Sequence, residues 1–277
     1  MNRLQIFWFR FRRNRAATVG VVVLFAIILM AMFGPLIYAI DPFEMVGRPF
    51  TLPLDRFPLG TDVAGRDILA GLVHGARVSL LIGVLSSLTA TIIGVTFGAI
   101  AGYYGGRIDD LLMRTTEFFL CIPSFVLAVV LVAIFQPDVV TITIAIAVVS
   151  WPSVARLARG EFIAHRDREY VQGCRAIGMP DWEIIVLQIL PNALPPIIVV
   201  SSLMVATAIL TESGLSFLGL SDPNLVSWGY MIGVARTVLR TAWWMAAIPG
   251  VMILVTVLAI NLVGEGLNDA LNPKLRK

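Results

Sequence analysis

The chain has 277 residues, 58% hydrophobic and 14% charged, with a formal net charge of +3. Soluble domains run about 45–50% apolar and about 25% charged, so an ordinary globular or disordered protein is excluded. Apolar runs of about 20 residues recur instead, which is the mark of membrane-spanning helices. Short alternating segments are absent, which excludes a transmembrane β-barrel. The composition gives an all-α, polytopic membrane protein.

Residues 1–15 hold Arg3, Arg10, Arg12, Arg13 and Arg15, with Phe7, Trp8, Phe9 and Phe11 among them. That mixture suits an interfacial helix on an anionic leaflet or a plain positive flank with aromatic anchors. The first span is read over residues 16–40, longer than a signal-peptide core of about 7–15 residues. An external segment follows over residues 41–77. Its end, Gly65 to Arg77, reads as a helix on the outer surface with Asp62 as its cap. Asp62, Arg66 and Asp67 are placed to pair with each other or with an external partner.

A five-helix core is placed over residues 78–265, with spans near 78–102, 112–135, 139–158, 190–210 and 242–263. Gly83, Gly94, Gly98 and Gly102 give the second span a small face for close packing, within the chain or against another subunit. Pro191, Pro195 and Pro196 are read at the start of the fifth span, where first-turn N–H groups lack partners anyway. The Asp222–Trp228 loop offers an external contact or an interfacial anchor. Residues 266–277 are read as a tail. Cys121 and Cys174 are the only cysteines, one in an apolar run and one in a polar stretch, so a disulfide scaffold is not expected.

Arginine and lysine set the expected orientation. The two termini, the turn at 103–114 and the polar stretch at 156–188 carry 15 of them, and the opposite side carries 6. Both termini are therefore expected in the cytoplasm, together with a loop at about 159–189.

That loop is the most informative stretch. It is a polar, arginine-bearing island between apolar runs, too long to be a simple connector. On a helix from Glu169 to Ile177, Tyr170, Cys174 and Ile177 fall on one stripe with Val171 beside them, while Arg168, Gln172 and Arg175 point elsewhere. Gly178 is the expected stop. Pro180 and Asp181 restart a helix, with Asp181 as its cap. The element reads either as a surface helix resting on headgroups or as a handle for a cytoplasmic partner.

Arg175-Ala176-Ile177-Gly178 and Ile189-Leu190-Pro191-Asn192 resemble the cytoplasmic loop of the inner-membrane subunits of binding-protein-dependent ABC importers. That loop typically reads Glu-Ala-Ala, three residues, Gly, then Ile-x-Leu-Pro. Gln172-Gly173-Cys174 stands where the triad would be, and Gly173 weakens the helix by up to about 1 kcal/mol relative to Ala. The resemblance continues through Leu59-Gly60-Thr61-Asp62, Ala101-Gly102-Tyr103-Tyr104-Gly105-Gly106, Ser150-Trp151-Pro152, Leu215-Ser216-Phe217-Leu218-Gly219-Leu220 and Gly266-Leu267-Asn268-Asp269. In that order, these motifs are similar to the second permease subunit of dipeptide and oligopeptide importers, with nickel, glutathione and oligosaccharide systems as relatives.

The resemblance implies a six-span type I importer permease that forms half of a translocation pathway for peptides. It implies a homologous second permease, two cytoplasmic ATPases and a periplasmic or lipid-anchored binding protein as partners, and no nucleic acid. It assigns ATPase coupling to Glu169, Tyr170, Val171, Cys174, Arg175, Ala176, Ile177, Gly178 and Pro191. No cofactor is expected in this chain, and ATP with Mg is expected in the partner ATPases. The residues agree: a Walker A loop needs Gly-Lys-Ser/Thr, and the only lysines are Lys274 and Lys277.

The rival class is an ion-coupled transporter or a channel. Such transporters bury acids or histidines within spans, and here only Glu117, near an inner boundary, and Glu212, near an outer one, are candidates, with structural roles favoured for both. No filter motif or charged ring is evident. His74 and His165 are the only histidines, and neither His-Glu-x-x-His nor Gly-x-Ser-x-Gly occurs, so the chain is not expected to be an enzyme.

Overall fold

The computed structural model describes residue 11 and residues 14–271. Residues 1–10, 12 and 13 lie outside the described residues, and with them both readings of the basic N-terminal segment. Residues 272–277 lie outside as well.

The chain runs through α1 (Arg15–Ile37), α2 (Ile68–Tyr104), α3 (Gly106–Cys121), α4 (Ser124–Phe135), α5 (Val139–Arg166), α6 (Glu169–Ala176), α7 (Asp181–Phe217), α8 (Trp228–Ala235) and α9 (Trp244–Leu271). Five of these, α1, α2, α5, α7 and α9, are long and apolar enough to cross a bilayer, and α3 with α4 makes a sixth when the pair is counted as one broken span.

Side-chain caps fix several helix starts by accepting hydrogen bonds from first-turn amides that have no helical partner. The Asn14 oxygen accepts from Ala17 N at 3.1 Å, Asp67 from Leu69 N at 2.8 Å, Asp138 from Thr141 N at 2.6 Å and Ser227 from Tyr230 N at 2.9 Å. Asn14 also donates to Asp269 at 3.1 Å, which joins the start of α1 to the end of α9.

Several expectations are corrected. Gly65 to Arg77 is not a separate surface helix. From Ile68 onward it is the first part of α2, which is 37 residues long, or about 55 Å against a hydrocarbon core of about 30 Å. The cap is Asp67, while Asp62 accepts from the backbone of Ala64 and Arg66 in the preceding loop. Polar His74 and Arg77 end the hydropathic run but not the helix. Arg77 Nε donates to the Ala31 carbonyl at 2.5 Å. That carbonyl lies four residues before Pro35, which has no N–H to offer it.

The third span is not a single rod. α3 and α4 meet at 85°. Pro123 lacks a donor and holds Ile122 extended, with φ −91° and ψ 128°. Pro191 stands where the α-helical part of α7 begins, at Leu190, as expected, whereas Pro195 and Pro196 lie inside it. The helix reaches Pro191 from Asp181 through a π-helical stretch, Ile184–Ile189, and the Asn192 side chain donates to the Gln188 carbonyl at 2.7 Å. α5 continues to Arg166 and α9 to Leu271, past the ends read at 158 and at 263.

The glycine face of α2 packs within the chain. A Cβ on Gly98 would sit 2.4 Å from the Ala155 carbonyl oxygen, and one on Gly94 or Gly102 would meet Val154 or Phe162 at 2.6 and 2.7 Å. In lipid no hydrophobic drive holds helices together, so this close backbone approach supplies the contact between α2 and α5. Gly83 meets Ile209 of α7 in the same way.

Candidate functional site

The island folds as α6 with its flanking turns. The helix ends in two hydrogen bonds of a Schellman turn: Met179 N donates to Cys174 O at 3.1 Å and Gly178 N to Arg175 O at 3.0 Å. Gly178 takes φ +79°, the left-handed conformation that this turn requires. Met179 and Cys174 then pack against the same buried cluster, which contains Tyr103, Phe162, Val171, Ile184 and Ile189.

The expected apolar stripe is only partly buried. Val171 is fully buried and Cys174 half-buried, but Tyr170 is 38% exposed and Ile177 is 78% exposed. Ile177 lies one residue past the helix, at its cap, so the spacing argument does not reach it. Glu169, Arg175, Ala176 and Gly178 are exposed. Trp182, at the start of α7, is 62% exposed. A polar loop thus presents two large apolar side chains to the surroundings.

Three contacts orient the element. The Arg175 guanidinium lies 5.0 Å from the ring centre of Tyr103. The Tyr103 hydroxyl donates to Asp181 at 2.6 Å, so Asp181 serves as an acceptor and Pro180 takes the cap position. The Tyr170 hydroxyl pairs with His165 Nδ1 at 3.0 Å. Burial pushes the Tyr170 hydroxyl up from its ordinary value, opposed by the Asn192 amide and the charge of Arg168. Asn192 thereby brings the Pro191 turn of α7 beside Tyr170, although Pro191 itself lies off α6.

Tyr103 was not singled out in the sequence. It stands at the end of an apolar run before Gly105 and Gly106, where it reads as a closing aromatic.

The two candidate ion-site acids are far from equivalent. Glu117 is exposed on α3. Glu212 is 1% exposed and accepts from Ser216 Oγ at 2.9 Å and Ser227 Oγ at 2.6 Å. Ser227 caps α8, so Glu212 ties α7 to α8. On the other side of the bundle, Arg159 grips Asp109 with two bonds of 2.6 Å, fastening α3 to α5.

Residues 94–277 match the model of the binding-protein-dependent transport system inner membrane component, and residues 2–52 match the N-terminal TM domain of oligopeptide transport permease C. The chain is 41% identical to the di/tripeptide transport system permease protein DppC of Pseudomonas aeruginosa, covering 99% of this chain and 93% of that protein. It is 37% identical to the oligopeptide transport system permease protein OppC of Bacillus subtilis, over 97% of this chain and 88% of that one. An inward-facing structure of the MetNI methionine ABC transporter shares the fold at a TM-score of 0.60 and 17% identity, covering 73% of this chain and 96% of its own. The capped and bent helices described above are therefore those of a type I importer permease, and the chain belongs to the family of binding-protein-dependent transport system inner membrane components, as a multi-pass permease of the bacterial inner membrane.

Proposed function

We propose that this chain forms half of the translocation pathway of an ATP-driven peptide importer, and that α6 is the handle by which a cytoplasmic ATPase moves it. The observation that carries the coupling reading is the pairing of a rigidly terminated helix with outward-facing Ile177 and Trp182. Anchored below by Val171 and open above, α6 has the form of one half of a contact. Peptide is the substrate class because the relatives at 41% and 37% identity are named for di/tripeptide and oligopeptide transport.

The remaining parts follow from this reading. A second permease completes the pathway, two separate ATPases bind ATP and Mg, and an external binding protein delivers the peptide. The arginine bias places α6 and both termini in the cytoplasm. Closure of the ATPase pair shifts α6 and rocks the spans between inward-open and outward-open states.

The test is gentle purification of the tagged chain, followed by uptake of tritiated alanyl-alanine into proteoliposomes carrying what co-purifies. The expected result is a second permease, two ATPases and uptake that needs ATP. Uptake driven by an ion gradient without ATPases would overturn the reading and return attention to Glu117 and Glu212. Uptake of a nickel chelate, glutathione or an oligosaccharide in place of the dipeptide would change the substrate class and leave the coupling intact.

A further inference from the structure

We infer that Tyr103 is the joint through which movement of α6 enters α2, a positioning residue for transport that lies outside the surface the ATPase grips. The inference rests on the coupling role proposed for α6. Apart from the Asn192 amide of α7 beside the Tyr170 hydroxyl, the other polar contacts of α6 and its start reach back locally and none reaches α2: Tyr170 to His165, Gln172 Nε2 to the Asp167 carbonyl at 3.1 Å and Arg168 Nε to the Ala164 carbonyl at 3.2 Å. Its apolar contacts through Val171 and Cys174 set a distance but permit sliding. Tyr103 differs because it is held from both shoulders of the Gly178 turn. Arg175 covers its ring from the end of α6, and Asp181 takes its hydroxyl from the start of α7. Both contacts are directional and both involve a full charge.

Tyr103 is 5% exposed and sits in the last turn of α2. That turn is clamped to α5, with Gly102 against Phe162 and Arg166 Nη1 donating to the Gly102 carbonyl at 3.1 Å. From there α2 runs without a proline to Ile68. Near that far end Trp228 of α8 donates its indole N–H to the Leu72 carbonyl at 2.9 Å and its amide to Ser79 Oγ at 3.0 Å. A displacement at Tyr103 therefore reaches the helix at the opposite end of the bundle along one continuous rod.

The experiment uses the whole assembly in proteoliposomes and reads alanyl-alanine imported per ATP hydrolysed. Tyr103→Phe keeps the ring for Arg175 and removes only the bond to Asp181, whereas Tyr103→Leu removes both contacts. With the ATPases still co-purifying in wild-type ratio, import per ATP falls about threefold for Phe and about tenfold for Leu. Asp181→Ala reproduces the Phe effect, and the double variant Tyr103→Phe with Asp181→Ala loses no more than either alone. Unchanged import per ATP in Tyr103→Phe and Asp181→Ala, even with lower yield, would mean a merely structural role and would overturn the inference. Additive losses in the double variant would overturn it too. If Tyr103→Leu does not assemble, the Phe and Asp181 variants decide. A wild-type assembly that hydrolyses ATP without importing dipeptide defeats the functional reading itself, and does so before any variant is made.

Discussion

The two ends of α2 are held in opposite ways. At the α8 end the chain closes on itself: Trp228 is fully buried, Glu212 takes two serine hydroxyls, and Gly229 lies against the Glu212 carboxylate with no room for a side chain. At the α6 end the chain stays open. Ile177 and Trp182 face outward, and a Cβ added to Gly173 or Gly178 would meet nothing within 4 Å. One end has finished its packing within the chain. The other is left for another chain to finish, so equal substitutions at the two ends give unequal results.

The largest expected effect is at the closed end. Gly229→Val places a Cβ 2.8 Å from both Glu212 oxygens and from Ser213 Cα. Overpacking of this kind costs about 3 kcal/mol, and thermal unfolding of the detergent-purified chain should register it. Glu212→Ala comes next. It strips the acceptor from two buried hydroxyls and costs about 2 kcal/mol, with Glu212→Gln milder. A wild-type melting curve for either variant would mean that the α8 end is not the closed element described.

The open end should answer with the opposite sign. Gly173→Ala in exposed α6 stabilises by up to about 1 kcal/mol, because Ala loses less backbone freedom on folding. Ile177→Asp should leave the stability of the purified chain within about 0.5 kcal/mol of wild type, yet release the ATPases during purification. Retained ATPases would show that Ile177 faces nothing that matters.

The smallest effect is acid sensitivity. The Thr141 amide bond holds the Asp138 carboxyl below its ordinary value. A depressed folded value means the contribution is present above the unfolded pKa, about 3.9, and is lost as pH falls through the folded one. A melting series below pH of about 4 should therefore show a small loss that Asp138→Asn, a neutral cap, no longer shows.

Much of this was legible in the sequence, and the failures have physical causes. The Gly178 stop and the buried Val171 were readable, because a helix end needs a left-handed residue and an amphipathic turn needs an anchor. The start of α2 was not, since hydropathy falls at Arg77 while the small residues from Ala70 to Ala76 continue a buried helical face. The bend at Pro123 was missed because the proline lies within a uniformly apolar run. The unbroken run of α7 from Asp181 into the fifth span was not legible, because a π-helical stretch has no signature in residue type. Ile177 was read as part of the helical stripe because spacing gives an angle around a helix but not where the helix ends.

Pro35 and Arg77 carry a consequence for how such chains change over generations. The proline leaves the Ala31 carbonyl without its helical donor, and the arginine supplies one from α2. A lineage that exchanged Pro35 for an ordinary residue would release Arg77 to vary at little cost. A lineage that lost Arg77 first would carry a bare carbonyl in a spanning helix, which is expensive in hydrocarbon. The pair should therefore drift apart in one order only, and relatives that keep the proline without a donor at the arginine position should be rare.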